Sequence, residues 1–287
     1  MISVLYVAGY GRSGSSIFEL EAARNLGGIA AGELGNLPNW IVLGRPCTCG
    51  IPIDRCEFWG EILRQAGLTA RLKDAQLLRR VVRAEFSARD ESCWQDFWQP
   101  ILETLHQVGA AAPLIDSTKS ARGRRRLSLL KKIGTEVRAV ALSRPLADVI
   151  QSVRKGSNVV IEHGGKQGTR FWGQTCIGWT WAMLAADQQS RSHGVPLHLV
   201  NYEDFLRSPQ QSLSVFDGLK RDDKLHEPLL GHGIAGNRAR RTGAMAEIDA
   251  SRVSDSHSPA PIALVEKAVL TWCRRGHSAS RLSPPEP

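Results

Sequence analysis

Gly9-Tyr10-Gly11-Arg12-Ser13-Gly14-Ser15-Ser16 is the stretch that decides how this chain folds. The apolar run Ile2-Ser3-Val4-Leu5-Tyr6-Val7-Ala8 precedes it and predicts a short buried strand. Behind it, Ile17, Leu20, Ala23 and Leu26 recur at helical spacing, and Gly27-Gly28 can end that helix. Strand, glycine-rich turn and helix together form the setting in which backbone N–H groups and a helix N-terminus hold phosphate. Glycines let the backbone approach an anion with no Cβ in the way. Ser13, Ser15 and Ser16 add hydroxyl donors, and Arg12 adds a fixed charged fork.

The spacing from Gly9 to Gly14 fits the start of a nucleotide-binding P-loop, but the next two residues do not. A magnesium-bound triphosphate calls for Lys and then Ser or Thr after the second glycine. Ser15 and Ser16 stand there instead, and the cation has moved to Arg12. That change points to a phosphate-bearing donor handled without metal. A glycine-rich turn in any α/β protein is the simpler alternative.

No Pro/Gly/Ser-rich linker divides residues 1–277, so they read as one domain, followed by a Ser- and Pro-rich tail over 278–287. The formal net charge of +9 suits an anionic ligand, a nucleic acid or an acidic surface, or serves solubility alone. The N-terminus lacks the charged and apolar regions of a signal peptide, and no apolar run reaches spanning length. The expectation is a cytoplasmic protein without stable membrane insertion.

Further strands are expected at 28–32, 113–116, 137–143 and 197–201, and helices over 60–112. Glu33 ends the second strand, where a carboxylate repels a nearby anion unless it has a proton to take; a solvated loop Glu is the alternative. Lys119 marks the end of the third strand, and ligands gather at the C-terminal ends of strands in an open parallel sheet. The charge of Arg124, Arg125, Arg126, Lys131 and Lys132 reads as a solvated helix face. Arg144 follows the fourth strand, with Pro145 opening a helix and Ser152 about two turns along it. Trp94, Phe97, Trp98, Ile101, Leu102 and Leu105 share one helical face that suits a core better than an acceptor pocket, and Trp172, Cys176, Trp179 and Met183 mostly suit a core too. The glycine-rich stretch 155–170 is a candidate lid, and 231–241 a second candidate anion loop.

Cys47, Cys49 and Cys56 admit zinc, a local disulfide or plain packing. No fourth ligand stands near them and His106 is distant, so a disulfide or packing is expected over metal.

Taken together, the first loop, Asp116-Ser117-Thr118-Lys119-Ser120, Arg144 with Ser152, Tyr202-Glu203-Asp204-Phe205 and Gly236-Asn237-Arg238 resemble the P-loop sulfotransferases. The segment from Cys47 to Trp59 is similar to bacterial members with a Cys-rich run before a Phe-Trp pair. The resemblance implies a three-layer α/β P-loop fold with a short, mostly parallel central sheet flanked by helices. It implies transfer of a sulfuryl group from 3′-phosphoadenosine 5′-phosphosulfate (PAPS) to an acceptor hydroxyl, leaving adenosine 3′,5′-bisphosphate and requiring no metal. Gly11, Arg12, Ser13, Gly14, Ser15, Ser16, Arg144, Ser152, Tyr202, Asn237 and Arg238 would bind the donor. Glu33, Arg12 and Lys119 would act in catalysis, with His163 and His232 next in line as base. The implied acceptor is a small molecule or glycan, with no nucleic-acid partner. The loop has Arg12 where several branches of the family have Lys, and Pro145-Leu146-Ala147 replaces the usual acidic-basic run. A nucleotide kinase or NTPase, or a non-catalytic polyanion-binding protein, are the competing readings.

Overall fold

The computed structural model describes residues 2–108, 112–120, 124–154, 170–219, 230–235 and 259–277. The expectations for 155–169, 236–241 and 278–287, including His163, Asn237 and Arg238, lie outside the described residues. Five strands form one sheet: β1 (Ser3–Ala8), β2 (Ile29–Gly32), β3 (Leu114–Asp116), β4 (Glu136–Ser143) and β5 (Leu197–Asn201). Their order is β2-β3-β1-β4-β5, and every pairing is parallel. The fold class and the five strand positions match the sequence expectation.

Parallel strands are covered on both faces, and so they read as continuous apolar runs. In β1, Val4, Tyr6 and Ala8 join one core, while Leu5 and Val7 join the other. The second core is capped by α1 (Ser15–Leu26), which ends at Gly27 with φ 65°, the left-handed conformation that suits glycine. The first core is larger. It takes in residues of α2 (Leu37–Val42), α3 (Glu57–Gln65), α4 (Ala75–Ala84) and α5 (Glu91–Val108), among them Trp59, Trp94 and Trp98. The α5 stripe is core, with all six of its apolar residues buried.

Four helices connect or flank the later strands: α6 (Arg126–Lys132), α7 (Leu146–Arg154), α8 (Arg170–Ser192) and α9 (Tyr202–Arg207). The short α10 (Pro209–Leu213) and the terminal α11 (Ala260–His277) follow. Ser208 stands at the N-cap of α10 and Pro209 in its first turn, as expected. On α8, Trp179 and Met183 are buried, Cys176 is half-buried and Trp172 is exposed, so that stripe is only partly core. Among the described residues, no helix is long and apolar enough to cross a membrane.

The basic run departs from expectation. Arg126 is completely buried, and Arg124 and Arg125 are half-buried. The reason is two buried carboxylates. Arg126 Nε meets Asp116 Oδ2 at 2.9 Å, and its Nη1 meets Glu85 Oε1 at 2.8 Å. The guanidinium also lies over the Trp98 ring at 4.1 Å. Burial alone would lower the Arg126 pKa, but Asp116 and Glu85 outweigh it and raise it. Only Lys131 and Lys132 stay on the exposed face.

Removing one partner of such a buried pair leaves an uncompensated charge. Arg126→Met is therefore expected to lower unfolding stability by about 3–5 kcal/mol in urea denaturation. A loss below about 1 kcal/mol, the range of exposed ion pairs, would show these charges to be solvated.

Candidate active site

The strand order reverses at β1, because β3 lies on one side of it and β4 on the other. A crevice opens at the C-terminal ends of the strands at such a point. Each strand delivers one part of the candidate site to that edge. The loop 9–16 follows β1, Glu33 follows β2, Lys119 lies just past β3, Arg144 follows β4, and Tyr202 follows β5.

Gly14 caps α1 with φ 90° and without a side-chain cap. The first turn carries no acid, which leaves the positive end of the helix open to an anion. Ile17 and Phe18 donate backbone bonds to the Gly14 carbonyl at 3.0 and 3.1 Å. The N–H groups of Ser15 and Ser16 precede them and have no acceptor within the helix. A Cβ on residue 14 would collide with the Tyr202 ring, so glycine is required there for space as well as for conformation.

Arg12 adopts φ 72°, a left-handed conformation that costs a non-glycine residue about 1–3 kcal/mol. Two contacts hold it. Arg144 Nη1 donates to the Arg12 carbonyl at 3.4 Å, and Arg12 Nη2 donates to the Ser152 carbonyl at 3.3 Å. Arg12, Arg144 and the backbone of Ser152 are therefore brought together. Arg144 also lies over the Tyr202 ring at 5.3 Å and 3.9 Å from Asp148. Burial first, and the like charge of Arg144 second, lower the Arg12 pKa. Two half-buried guanidiniums brought together in this way favour an anion between or beside them.

The catalytic candidates meet on the other side of the loop. Lys119 Nζ donates to Ser15 Oγ, and to the Ser117 carbonyl at 2.9 Å. The same ammonium lies 3.7 Å from Glu33 Oε1. The other Glu33 oxygen, Oε2, accepts from Asn36 Nδ2 at 2.8 Å, and Asn36 Oδ1 accepts from Arg124 at 2.9 Å. Asn36 and Arg124 orient the carboxylate, and sequence reasoning assigned neither that role. The available signal was the position of Asn36, one helical turn beyond Glu33 in the 3₁₀ segment Leu34–Asn36.

Deeper bonds lock the strand ends together. Thr118 donates from both its N–H and its hydroxyl to Asp116 Oδ1, and Gly35 N–H donates to Thr118 Oγ1 at 2.7 Å. The buried Glu19 of α1 accepts from Gly32 N–H at the end of β2. Ser120 Oγ accepts from Gly9 N–H at 3.1 Å and donates to the Ala182 carbonyl of α8 at 2.8 Å. A groove of about 750 Å³ lies elsewhere, lined by residues of α8 including Ile177, Trp181 and Leu184, and none of the site residues above borders it. None of the six cysteines is paired in the structure, and Cys49 Sγ and Cys56 Sγ lie 3.7 Å apart, which does not match the expected local disulfide. The His232 ring lies against the thiols of Cys47 and Cys56, a different setting from the alternative base role expected of it.

No protein-family model matches the chain, and no curated protein does. Among solved structures, the fold is similar to the sulfotransferase domain from the curacin biosynthetic pathway. The TM-score is 0.52 at 16% identity, over 96% of this chain and 98% of that one. The sulfotransferase domain from the Synechococcus PCC 7002 olefin synthase aligns at TM-score 0.49 and 15% identity, over 98% and 96%. At these identities the likeness is one of fold.

The Gly14 geometry is testable by a double-mutant cycle. Gly14→Ala is expected to destabilise by about 1–3 kcal/mol, from backbone strain together with the collision. In a Tyr202→Ala background the collision is gone, and the cost of the same substitution should shrink by at least about 0.5 kcal/mol. Strict additivity of the two changes in thermal unfolding would show that the ring and the loop do not touch.

Proposed function

We propose that the chain is a sulfotransferase, moving a sulfuryl group from PAPS to an acceptor hydroxyl of a small metabolite or glycan. The observation that carries this reading is the convergence, at one sheet edge, of an anion site with paired guanidiniums and a Lys–Glu pair touching the same loop. The half-buried Arg12 and Arg144, beside an acid-free helix mouth, fit a ligand bearing separate phosphate groups. The fold likeness to a sulfotransferase domain supports the same reading.

PAPS supplies the activated sulfuryl group, held through a mixed anhydride to its 5′-phosphate. Loop residues 11–16 would bind that phosphosulfate through N–H groups and hydroxyls. Arg144 and Ser152 would bind the 3′-phosphate, with Tyr202 beneath the Arg144 guanidinium. Asn237 and Arg238 would complete the nucleotide contacts. Glu33 takes the proton of the acceptor hydroxyl as the new oxygen–sulfur bond forms. Asn36 holds one of its oxygens, so the other is presented toward Lys119. Lys119 and Arg12 stabilise the negative charge that collects on the leaving phosphate oxygen as the sulfur–oxygen bond breaks. Such transfer depends mainly on positioning and charge stabilisation, by analogy with phosphoryl transfer.

Calorimetric titration with adenosine 3′,5′-bisphosphate, without added magnesium, tests the donor. Tight binding is expected, whereas binding of ATP alone and only with magnesium would point to a kinase. Arg144→Ala should weaken the bisphosphate by about 1.5–3 kcal/mol, roughly 10–100-fold, and adenosine 5′-phosphate far less. Equal losses for both ligands would show that Arg144 does not read the 3′-phosphate.

The base is tested with a mass-spectrometric acceptor screen and single-turnover kinetics. Glu33→Gln should keep donor affinity and lower turnover by about 10²–10⁴-fold. Lys119→Ala should slow turnover least with a donor whose leaving phosphate is intrinsically better, a dependence that Glu33→Gln should not share. Unchanged single-turnover rates for Glu33→Gln would assign the base elsewhere.

A further inference from the structure

The Cys-rich run and a histidine far along the chain meet in space. Cys47, Cys49, Cys56 and His232 place one ligand atom each, three sulfurs and one nitrogen, all within 4.8 Å of one another. Cys56 Sγ lies 3.3 Å from His232 Nδ1, and Cys47 Sγ lies 4.0 Å from it. Cys49 Sγ and Cys56 Sγ are 3.7 Å apart. A tetrahedral zinc ion with ordinary bond lengths sets sulfur–sulfur separations of about 3.8 Å and sulfur–nitrogen separations of about 3.6 Å. The two sulfur–nitrogen distances bracket the second value, and the Cys49–Cys56 sulfur separation lies close to the first. That sulfur–sulfur distance also exceeds a disulfide bond, of about 2.05 Å, by a wide margin.

The surroundings are built to hold the four groups. Residues 47–51 form a tight turn, with Cys47 N–H bonded to the Ile51 carbonyl at 2.9 Å and Gly50 N–H to the Cys47 carbonyl at 2.9 Å. Cys56 is the N-cap of α3, so the start of that helix fixes its position. His232 is fixed from two directions. Its carbonyl accepts from the Trp59 indole N–H, and its ring packs on Phe58 with centroids 5.5 Å apart. Thr48 clamps the residues on either side, donating from its hydroxyl to the Gly231 carbonyl and accepting from Gly233 N–H, both at 2.8 Å. Two of the three cysteines, Cys47 and Cys56, are buried, His232 is half-buried and Cys49 is exposed, so the cluster sits at the margin of the core.

We infer that Cys47, Cys49, Cys56 and His232 form a structural Cys₃His zinc site that fastens segment 230–235 to the edge of the sheet. Four protein ligands close the coordination sphere, so the ion has no open position for substrate and serves the fold. Its leverage falls on the candidate base. Just beyond His232, Ile234 pairs in parallel with Gly32, its N–H bonding the Ala31 carbonyl at 2.8 Å and its carbonyl taking Glu33 N–H at 2.7 Å. The ion thus holds the chain that flanks Glu33. A zinc ion here runs against the sequence expectation of a disulfide or packing over metal at these cysteines, and leaves the proposed transfer chemistry as one that would require no metal.

The test is metal content, read without donor or acceptor and so independent of the sulfotransferase reading. Protein purified without chelator should carry about one zinc ion per chain by elemental mass spectrometry. Cobalt(II) exchanged into it should show the ligand-field and thiolate charge-transfer bands of a tetrahedral site. Cys49→Ser removes an exposed ligand with little risk to the core, and should weaken cobalt binding by more than about 100-fold, since outer-shell changes alone cost about 10–100-fold. Cys273→Ser, a buried thiol outside the cluster, should leave metal content unchanged. Substoichiometric zinc in the reduced protein together with no tetrahedral cobalt spectrum would overturn the proposal. So would a Cys49–Cys56 disulfide found in native protein by non-reducing peptide mapping, or full zinc retention in Cys49→Ser.

Discussion

A buried charge holds the centre of this structure. Arg126 lies under the C-terminal end of β3 with no access to water, and its partners Asp116 and Glu85 are equally enclosed. Such a pair contributes little net stability compared with apolar packing, but breaking it is severe, so it acts as a registry device. Asp116 is divided between Arg126 and Thr118, and Thr118 in turn accepts from Gly35 in the turn after β2. Glu85 takes Arg126, Arg124 and the Trp94 indole, and Arg124 reaches Asn36, which bonds Glu33. One ion cluster therefore sets the relative position of α4, α6, the end of β3 and the candidate base.

The loop after β1 is a second place where the fold accepts an unfavourable local arrangement. Arg12 is left-handed, and it faces the like charge of Arg144. Neither feature lowers the energy of the protein alone. Both are tolerated because the strand ends on either side are over-determined by packing and by the hydrogen bonds of Ser120 and Glu19. A ligand bearing negative charge, as proposed, would relieve the repulsion at this edge of the sheet.

The sheet was legible in the chain because parallel strands are apolar on both faces, and each of the five stands out as a short run ended by a polar residue or, for β1, by glycine. Lys119 was placed at that edge for a related reason, since residues at such strand ends face one crevice, whereas the loop was read from its glycine pattern and Arg144, Ser152 and Tyr202 were singled out through the resemblance. What stayed hidden depends on distance along the chain. A run of arginines reads as a solvated face unless it is known that Glu85, 41 residues from Arg126, lies beneath it. The histidine that meets the cysteine cluster stands 185 residues beyond Cys47, and a search for local spacing stops at nearer histidines such as His106. Asn36 was in plain view, but nothing local marks a neighbouring amide as the group that orients a carboxylate.

The position of Glu33 shows why the edge of the sheet needs outside support. β2 is four residues long, stands at the edge, and has an irregular register with β3 between Ala30 and Gly32. A short edge strand with an irregular register has little pairing of its own to hold it, yet it leads into the carboxylate proposed to meet an acceptor proton within hydrogen-bond reach. On its inner side it is held by β3 and the Thr118 bond; on its outer side it is held by Ile234. Segment 230–235 is a short stretch with few side chains of its own to bury, and Thr48, Trp59 and the thiols around His232 are what fix it. Precision at the candidate base is thus imported from a joint outside the sheet, and loosening that joint would be felt first at Glu33 and only later in the core.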